Sequence, residues 1–170
     1  FNGQQANLTL HASPDDSNIS VWQDVVHEVK IDYLFDENGV GYAGNHIMAF
    51  EGKKTTITIP GSVVVGSEYL PTTFTDNKLE ELTFESSARI KNANFEGCSK
   101  LEKLTFNDNV SFDGTTSFTG CNSLREITFS AGVTGLSGKF ANVPLTKIIF
   151  QGNIPSLSGQ GSNYASNPIS

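Results

Sequence analysis

Apolar residues recur along this chain in short, evenly spaced clusters. Two apolar residues flank one polar or branched residue in Val29/Ile31, Ile57/Ile59, Leu82/Phe84, Leu104/Phe106, Ile127/Phe129 and Ile148/Phe150, at successive offsets of 28, 25, 22, 23 and 21 residues. Alternation of period two predicts strands with one buried face. A second file is aromatic: Phe50, Phe74, Phe95, Phe118 and Phe140, spaced 24, 21, 23 and 22 residues apart. A third, weaker file follows each strand, with Val63, Ala88, Val110, Val133 and Ile154. Val65, Ile90, Phe112, Leu136 and Leu157 lie two or three residues further on and predict a second short strand per unit. Three files keeping step predict a solenoid, in which each coil cannot bury its apolar face alone and relies on its neighbours. Six strands stacked ~4.8 Å apart would make a parallel sheet roughly 25 Å across. The 21–25 residues between most of them supply the crossover that parallel neighbours need.

The repeat is clearest where the chain states one segment twice. Phe95-Glu96-Gly97-Cys98-Ser99-Lys100-Leu101-Glu102-Lys103-Leu104-Thr105-Phe106 is followed, 23 residues on, by Phe118-Thr119-Gly120-Cys121-Asn122-Ser123-Leu124-Arg125-Glu126-Ile127-Thr128-Phe129, with six of twelve positions identical. Ahead of the repeats, Leu8-Thr9-Leu10 predicts a short strand and Ser13 to Asn18 a turn. Ser20-x-x-Gln23 is a capping-box pattern, and Val21, Trp22, Val25, Val26 and Val29 share one face of a short helix. A terminal coil needs a lid. Residues 8–28 are expected to form that N-terminal cap, with Trp22 its largest apolar contribution. Residues 29–157 would hold five to six coils, and residues 158–170, rich in Gly, Ser, Asn and Pro, a flexible tail or linker.

Composition narrows the partners. A net charge of −7 with no basic cluster makes nucleic acid and anionic membrane poor partners. No apolar run approaches the ~20 residues of a membrane span. The chain opens on Phe1 with no charged-then-apolar leader, so any targeting segment is expected to have been removed or to lie outside this stretch. Two cysteines are too few for a disulfide scaffold. Cys98 and Cys121 fall at equivalent places one coil apart, where parallel Cβ vectors do not converge as a bridge requires, so buried free thiols are expected.

Pattern resemblance adds a family. Phe-x-Gly-Cys-x-x-Leu-x-x-Leu-x-Phe resembles the BspA-like leucine-rich repeat of bacterial surface antigens, whose pattern is A-F-x-x-C-x-x-L-x-x-I-x-I-P-x-x-V. Phe95–Val110 and Phe118–Val133 match it best, and Ala49-Phe50 with Ile57-Thr58-Ile59-Pro60-Gly61-Ser62-Val63 matches with two residues missing. Residues 8–31 are similar to the cap that such proteins carry, which brings the resemblance to about residues 8–157. The copies are uneven: the cysteine position holds Asp76-Asn77 in one and Val143 in the last. The resemblance implies a β-rich leucine-rich-repeat solenoid, with parallel short strands in a right-handed superhelix, a short N-terminal capping helix and few other helical turns.

Candidate chemistry is sparse. His11, His27 and His46 have no metal-ligand spacing, and His27 is expected near a helix end, where its charge would oppose the dipole. Asp15-Asp16-Ser17-Asn18 and Asp108 to Gly114 hint at calcium without the terminal Glu of a known loop. No catalytic, metal or cofactor motif is found. The outward strand positions form two columns instead. Glu81, Lys103, Glu126 and Lys147 alternate in charge, and Thr83, Thr105, Thr128 and Ile149 run beside them. β-propensity and avoidance of like charges account for these columns without a ligand. Equally, extended solenoid faces are where such proteins bind. The expectation is a non-enzymatic, extracellular or cell-surface module, held in place through a segment outside this stretch, that recognises a host or matrix protein or a glycan. A structural spacer displaying another domain is the alternative.

Overall fold

The computed structural model describes residues 6–136 and 138–152. Strand β1 (Ala6–Ala12), helix α1 (Ile19–Gln23) and strand β2 (Val26–Ile31) come first, followed by β3 (Leu34–Phe35), β4 (Val40–Ala43) and β5 (His46–Phe50). The coils then begin. Each starts on a four-residue strand whose alternate side chains turn inward: β6 (Thr56–Ile59), β9 (Glu81–Phe84), β12 (Lys103–Phe106), β14 (Glu126–Phe129) and β15 (Lys147–Phe150). A second strand follows in β7 (Val64–Gly66), β10 (Arg89–Lys91) and β13 (Ser111–Asp113), and a third in β8 (Thr72–Thr75) and β11 (Ala93–Gly97). Equivalent strands pair in parallel, so each side of the coil has its own sheet. The result is a parallel-strand solenoid of about six turns with almost no helix.

Register is strict in the five-stranded sheet. Ile57, Leu82, Leu104, Ile127 and Ile148 align rung by rung, as do Ile59, Phe84, Phe106, Phe129 and Phe150. A slip of one residue would turn these apolar sets outward, which is why the alternation alone determines the pairing. The predicted aromatic file is a stack of rings. Phe50, Phe74, Phe95, Phe118 and Phe140 have successive centroids 5.0, 4.9, 4.6 and 5.0 Å apart. Phe84, Phe106, Phe129 and Phe150 make a second stack at 5.1, 5.4 and 5.8 Å. Edge contacts such as Phe84 to Phe95 (6.4 Å) and Phe106 to Phe118 (6.1 Å) lock the two stacks together. The third file is buried at Val63, Ala88, Val110 and Val133; its last member, Ile154, lies outside the described residues, as does Leu157 of the file expected to form the second strands.

Turns repeat as faithfully as strands. Just before three members of that file stand Ser87, Asn109 and Gly132, with φ of 70°, 59° and 71°. A left-handed residue is needed at this corner, and Gly and Asn adopt that conformation most readily. The Ser87 N–H donates to Asp108 O and the Asn109 N–H to Ala131 O, tying each corner to the next coil. Asn92 spans three coils. Its carboxamide nitrogen donates to the carbonyls of Ser67 (3.1 Å) and Glu68 (2.9 Å), and its oxygen accepts from the Thr115 N–H (3.0 Å).

The N-terminal region departs from expectation. Val29 and Ile31, expected as the first rung of the main sheet, pair instead with Leu10 and Ala12 in a separate two-stranded sheet, so the main sheet has five rungs among the described residues rather than six. The helix starts at Ile19 with Asn18 at its N-cap and no side-chain capping bond, so Ser20 and Gln23 do not form a capping box. Trp22 is 43% exposed and Val21 64%; Ile19 and Val26 are the buried apolar residues instead. A five-residue helix has too little length to present a continuous face. His27 lies within β2 and is not at a helix end.

The ring stacks set a mutational contrast. Phe95→Ala and Phe118→Ala should each destabilise by ~3–5 kcal/mol in urea melts, while Thr105→Ala, on the outer side of β12, should change stability by less than ~1 kcal/mol. Gly66→Ala should also destabilise, because φ is +89° there and the added methyl would run into the carbonyl oxygen of Lys91.

Candidate binding face

The outward positions of the five-stranded sheet form the predicted strip. Thr56, Glu81, Lys103, Glu126 and Lys147 align as one column, and Thr58, Thr83, Thr105, Thr128 and Ile149 as the next. The structure thus brings all eight sequence-predicted face residues onto one side of one sheet. The charge column resolves into two pairs rather than an unbroken ladder: Lys103 Nζ is 3.0 Å from Glu81 Oε1, and Lys147 Nζ is 3.0 Å from Glu126 Oε2. Hydrogen bonding to Glu81, reinforced by its charge, holds the Lys103 ammonium above its ordinary value. Exposed pairs of this kind contribute little to stability and much to pairing specificity. The threonine column is uneven. Thr83, Thr105 and Ile149 are half-buried, while Thr128, between Thr105 and Ile149, is only 8% exposed. Thr58 is open.

Both cysteines are buried and free. Cys121 Sγ donates to the carbonyl of Phe95 at 3.2 Å, and Cys98 Sγ to that of Phe74 at 3.7 Å. Each thiol therefore bonds to the coil below it. Burial pushes both thiols up to about 12, with the charges of Asp76 on Cys98 and of Cys98 on Cys121 as smaller contributions. Protonated thiols are poor nucleophiles.

The histidines and acidic turns hold the chain to itself. His11 Nδ1 lies 2.7 Å from Asp32 Oδ2. His46, 3% exposed, sits between Gly66 O (2.7 Å from Nδ1) and Asp15 Oδ1 (2.7 Å from Nε2). Ser67 Oγ donates to the carbonyl of Pro14 at 2.9 Å. These contacts dock the residue 13–16 turn onto the first coils. Asp16 accepts the Asn18 N–H, and Asp108 the Ala131 N–H. Sequence spacing carried no sign of the His46–Asp15 contact, which joins residues 31 apart, one in the turn after β1 and the other in β5. Among the described residues no group of three or more His, Cys, Asp or Glu side chains is placed to hold a metal ion.

Two depressions lie between adjacent coils. One, of about 530 Å³, is open and lined by Gly61, Ser62, Glu85, Ser86 and Asn107. The other, of about 280 Å³, lies between the Phe50–Gly52 and Thr75–Asn77 turns. The first has a single ionisable side chain.

With stacked phenylalanines, inward thiols and in-register strands established, comparison with known families is decisive. The family described as BspA type leucine-rich repeat region matches residues 48–166 in six copies. The chain belongs to the BspA-type leucine-rich repeat family. Searches of curated proteins and of solved structures gave no match. BspA-type repeats are typically surface-associated, and leucine-rich-repeat solenoids are generally non-enzymatic scaffolds that commonly mediate protein binding. No helix among the described residues is long and apolar enough to cross a membrane.

The raised thiols give these BspA-type coils an alkaline limit. Unfolded thiols ionise near 9.0 and the folded ones near 12, so their contribution is complete below pH ~9 and is lost as pH rises from there towards 12. The melting temperature of the wild type should fall across that window more steeply than that of the Cys98→Ala/Cys121→Ala double variant. At pH ~8 a thiol reagent should modify neither cysteine until the chain unfolds.

Proposed function

We propose that this chain is a non-enzymatic recognition module, secreted or displayed at a cell surface, that binds a host or matrix protein or a glycan through the face formed by β6, β9, β12, β14 and β15. The observation supporting this reading is the continuous in-register strip of Thr58, Thr83, Thr105, Thr128 and Ile149 beside Glu81, Lys103, Glu126 and Lys147. Five rungs present one extended surface, the geometry that solenoids use for large partners. Ile149 is the apolar contact in the threonine column, and it adjoins Lys147 on the last described rung.

A second reading has its own support. Both charge pairs on the strip are satisfied internally, and two ring stacks run through the coils. That combination also suits a stiff spacer that displays another domain.

Immobilised chain probed with matrix proteins and a glycan array separates the two. The recognition module should retain at least one ligand, and Thr105→Arg/Ile149→Arg should weaken it by tenfold or more, about 1.4 kcal/mol, with the melt unchanged. Retention of no ligand by the wild type would leave the spacer reading.

A further inference from the structure

The six-stranded sheet ends on β3, where the fold shows to solvent the kind of side chain it buries elsewhere. Leu34 is 82% exposed, and Tyr33 and Phe35 are each 42% exposed. Both rings lie across the backbone of Gly41. A Cβ at that glycine would come within 2.8 Å of Tyr33 Cδ2 and 3.2 Å of Phe35 Cε1. The two ring centroids are 5.4 Å apart, edge to face at 87°. This packing holds β3 against β4, so its outer edge is a formed surface.

That edge has backbone groups to offer. The Asp36 N–H donates to Val40 O at 2.9 Å, and Leu34 pairs with Tyr42 in the same antiparallel register. Alternation along such a ladder turns the N–H and C=O groups of Tyr33 and Phe35 away from β4. Among the described residues none takes them up. An unpaired edge is a template for an added strand. Charge selects which strand. Asp32 precedes the apolar triplet and Asp36 and Glu37 follow it, with Asp32 and Glu37 exposed. A second copy paired so that the two Leu34 side chains met would set Asp32 directly against Asp36. Like charges opposite one another are destabilising. The acidic flanks therefore oppose self-pairing and favour a basic strand.

We propose that the outer edge of β3 is a docking site for an extended segment of a partner protein, with a short apolar centre along Tyr33, Leu34 and Phe35 and Lys or Arg at its ends, facing Asp32, Asp36 and Glu37. Backbone pairing supplies the orientation, the apolar triplet the contact area and the carboxylates the choice of partner. The site lies on a different sheet from the threonine strip and does not rest on it.

Fluorescence anisotropy of a dye-labelled, end-blocked Lys-Lys-Val-Ile-Val-Lys-Lys peptide, titrated with the full chain, tests it. The peptide should bind saturably. Leu34→Asp should weaken binding by about tenfold with its melt unchanged, although it adds the charge that attracts lysine. N-methylating alternate amides along one edge of the peptide should abolish binding, and along the other edge should leave it. Thr105→Arg/Ile149→Arg should bind the peptide as the wild type does. No saturable binding, wild-type binding by Leu34→Asp, or no difference between the two methylated peptides would overturn the site, the last two in favour of charge attraction alone. A dimer in sedimentation that Leu34→Asp dissolves would overturn it in favour of a second copy.

Discussion

Above Phe50 and Phe84, each phenylalanine in the two inner files rests on the ring one coil below it, nearly parallel to it through most of the stack. Phe95 and Phe118 lie 5° apart in plane, and Phe106 and Phe129 lie 13° apart. Ring-on-ring contact fixes the height of a coil near the spacing that backbone pairing also requires. Strands, corners and thiols then recur at one pitch because the interior admits only one. A coil touches its immediate neighbours and little else, so stability accumulates along the stack as a series of interfaces. Towards the last described rung the core opens: Ile148 and Phe150 are only partly buried.

Polar groups do a different job at the N-terminal end. There the chain leaves the repeat, and the docking of the residue 13–16 turn depends on His46, Asp15, Ser67 and the carbonyls of Gly66 and Pro14. Lys91, nearly buried, reaches Glu68 beside this corner, and that hydrogen bond holds the Glu68 carboxyl below its ordinary value. Bonds of this kind specify one arrangement strongly, because each buried polar atom must find its partner. Val21 and Trp22 of α1, and Val25 just after it, face outward.

The repeats were legible because periodicity is a local signal repeated many times. Leu82, Leu104 and Ile127 declare their common face through the residues beside them, and their alignment follows from the fold class. The column of Glu81, Lys103, Glu126 and Lys147 could be read for the same reason, although its resolution into two pairs depends on side-chain conformation and could not. The cap is where the structure departs from the sequence pattern, at Trp22 and at Val29/Ile31. A five-residue helix and a two-stranded sheet take their orientation from distant partners, and Asp15 and His46 carry no spacing that advertises their meeting.

The sulfur atoms have a consequence for where such a chain could mature. Cys98 and Cys121 serve as small internal donors, each satisfied by the main chain of the preceding turn, and neither needs the other. The architecture therefore asks for no oxidant and fears no reductant. It can be assembled in a glutathione-rich compartment and persist unchanged in air, without the help of an enzyme that forms or shuffles covalent cross-links.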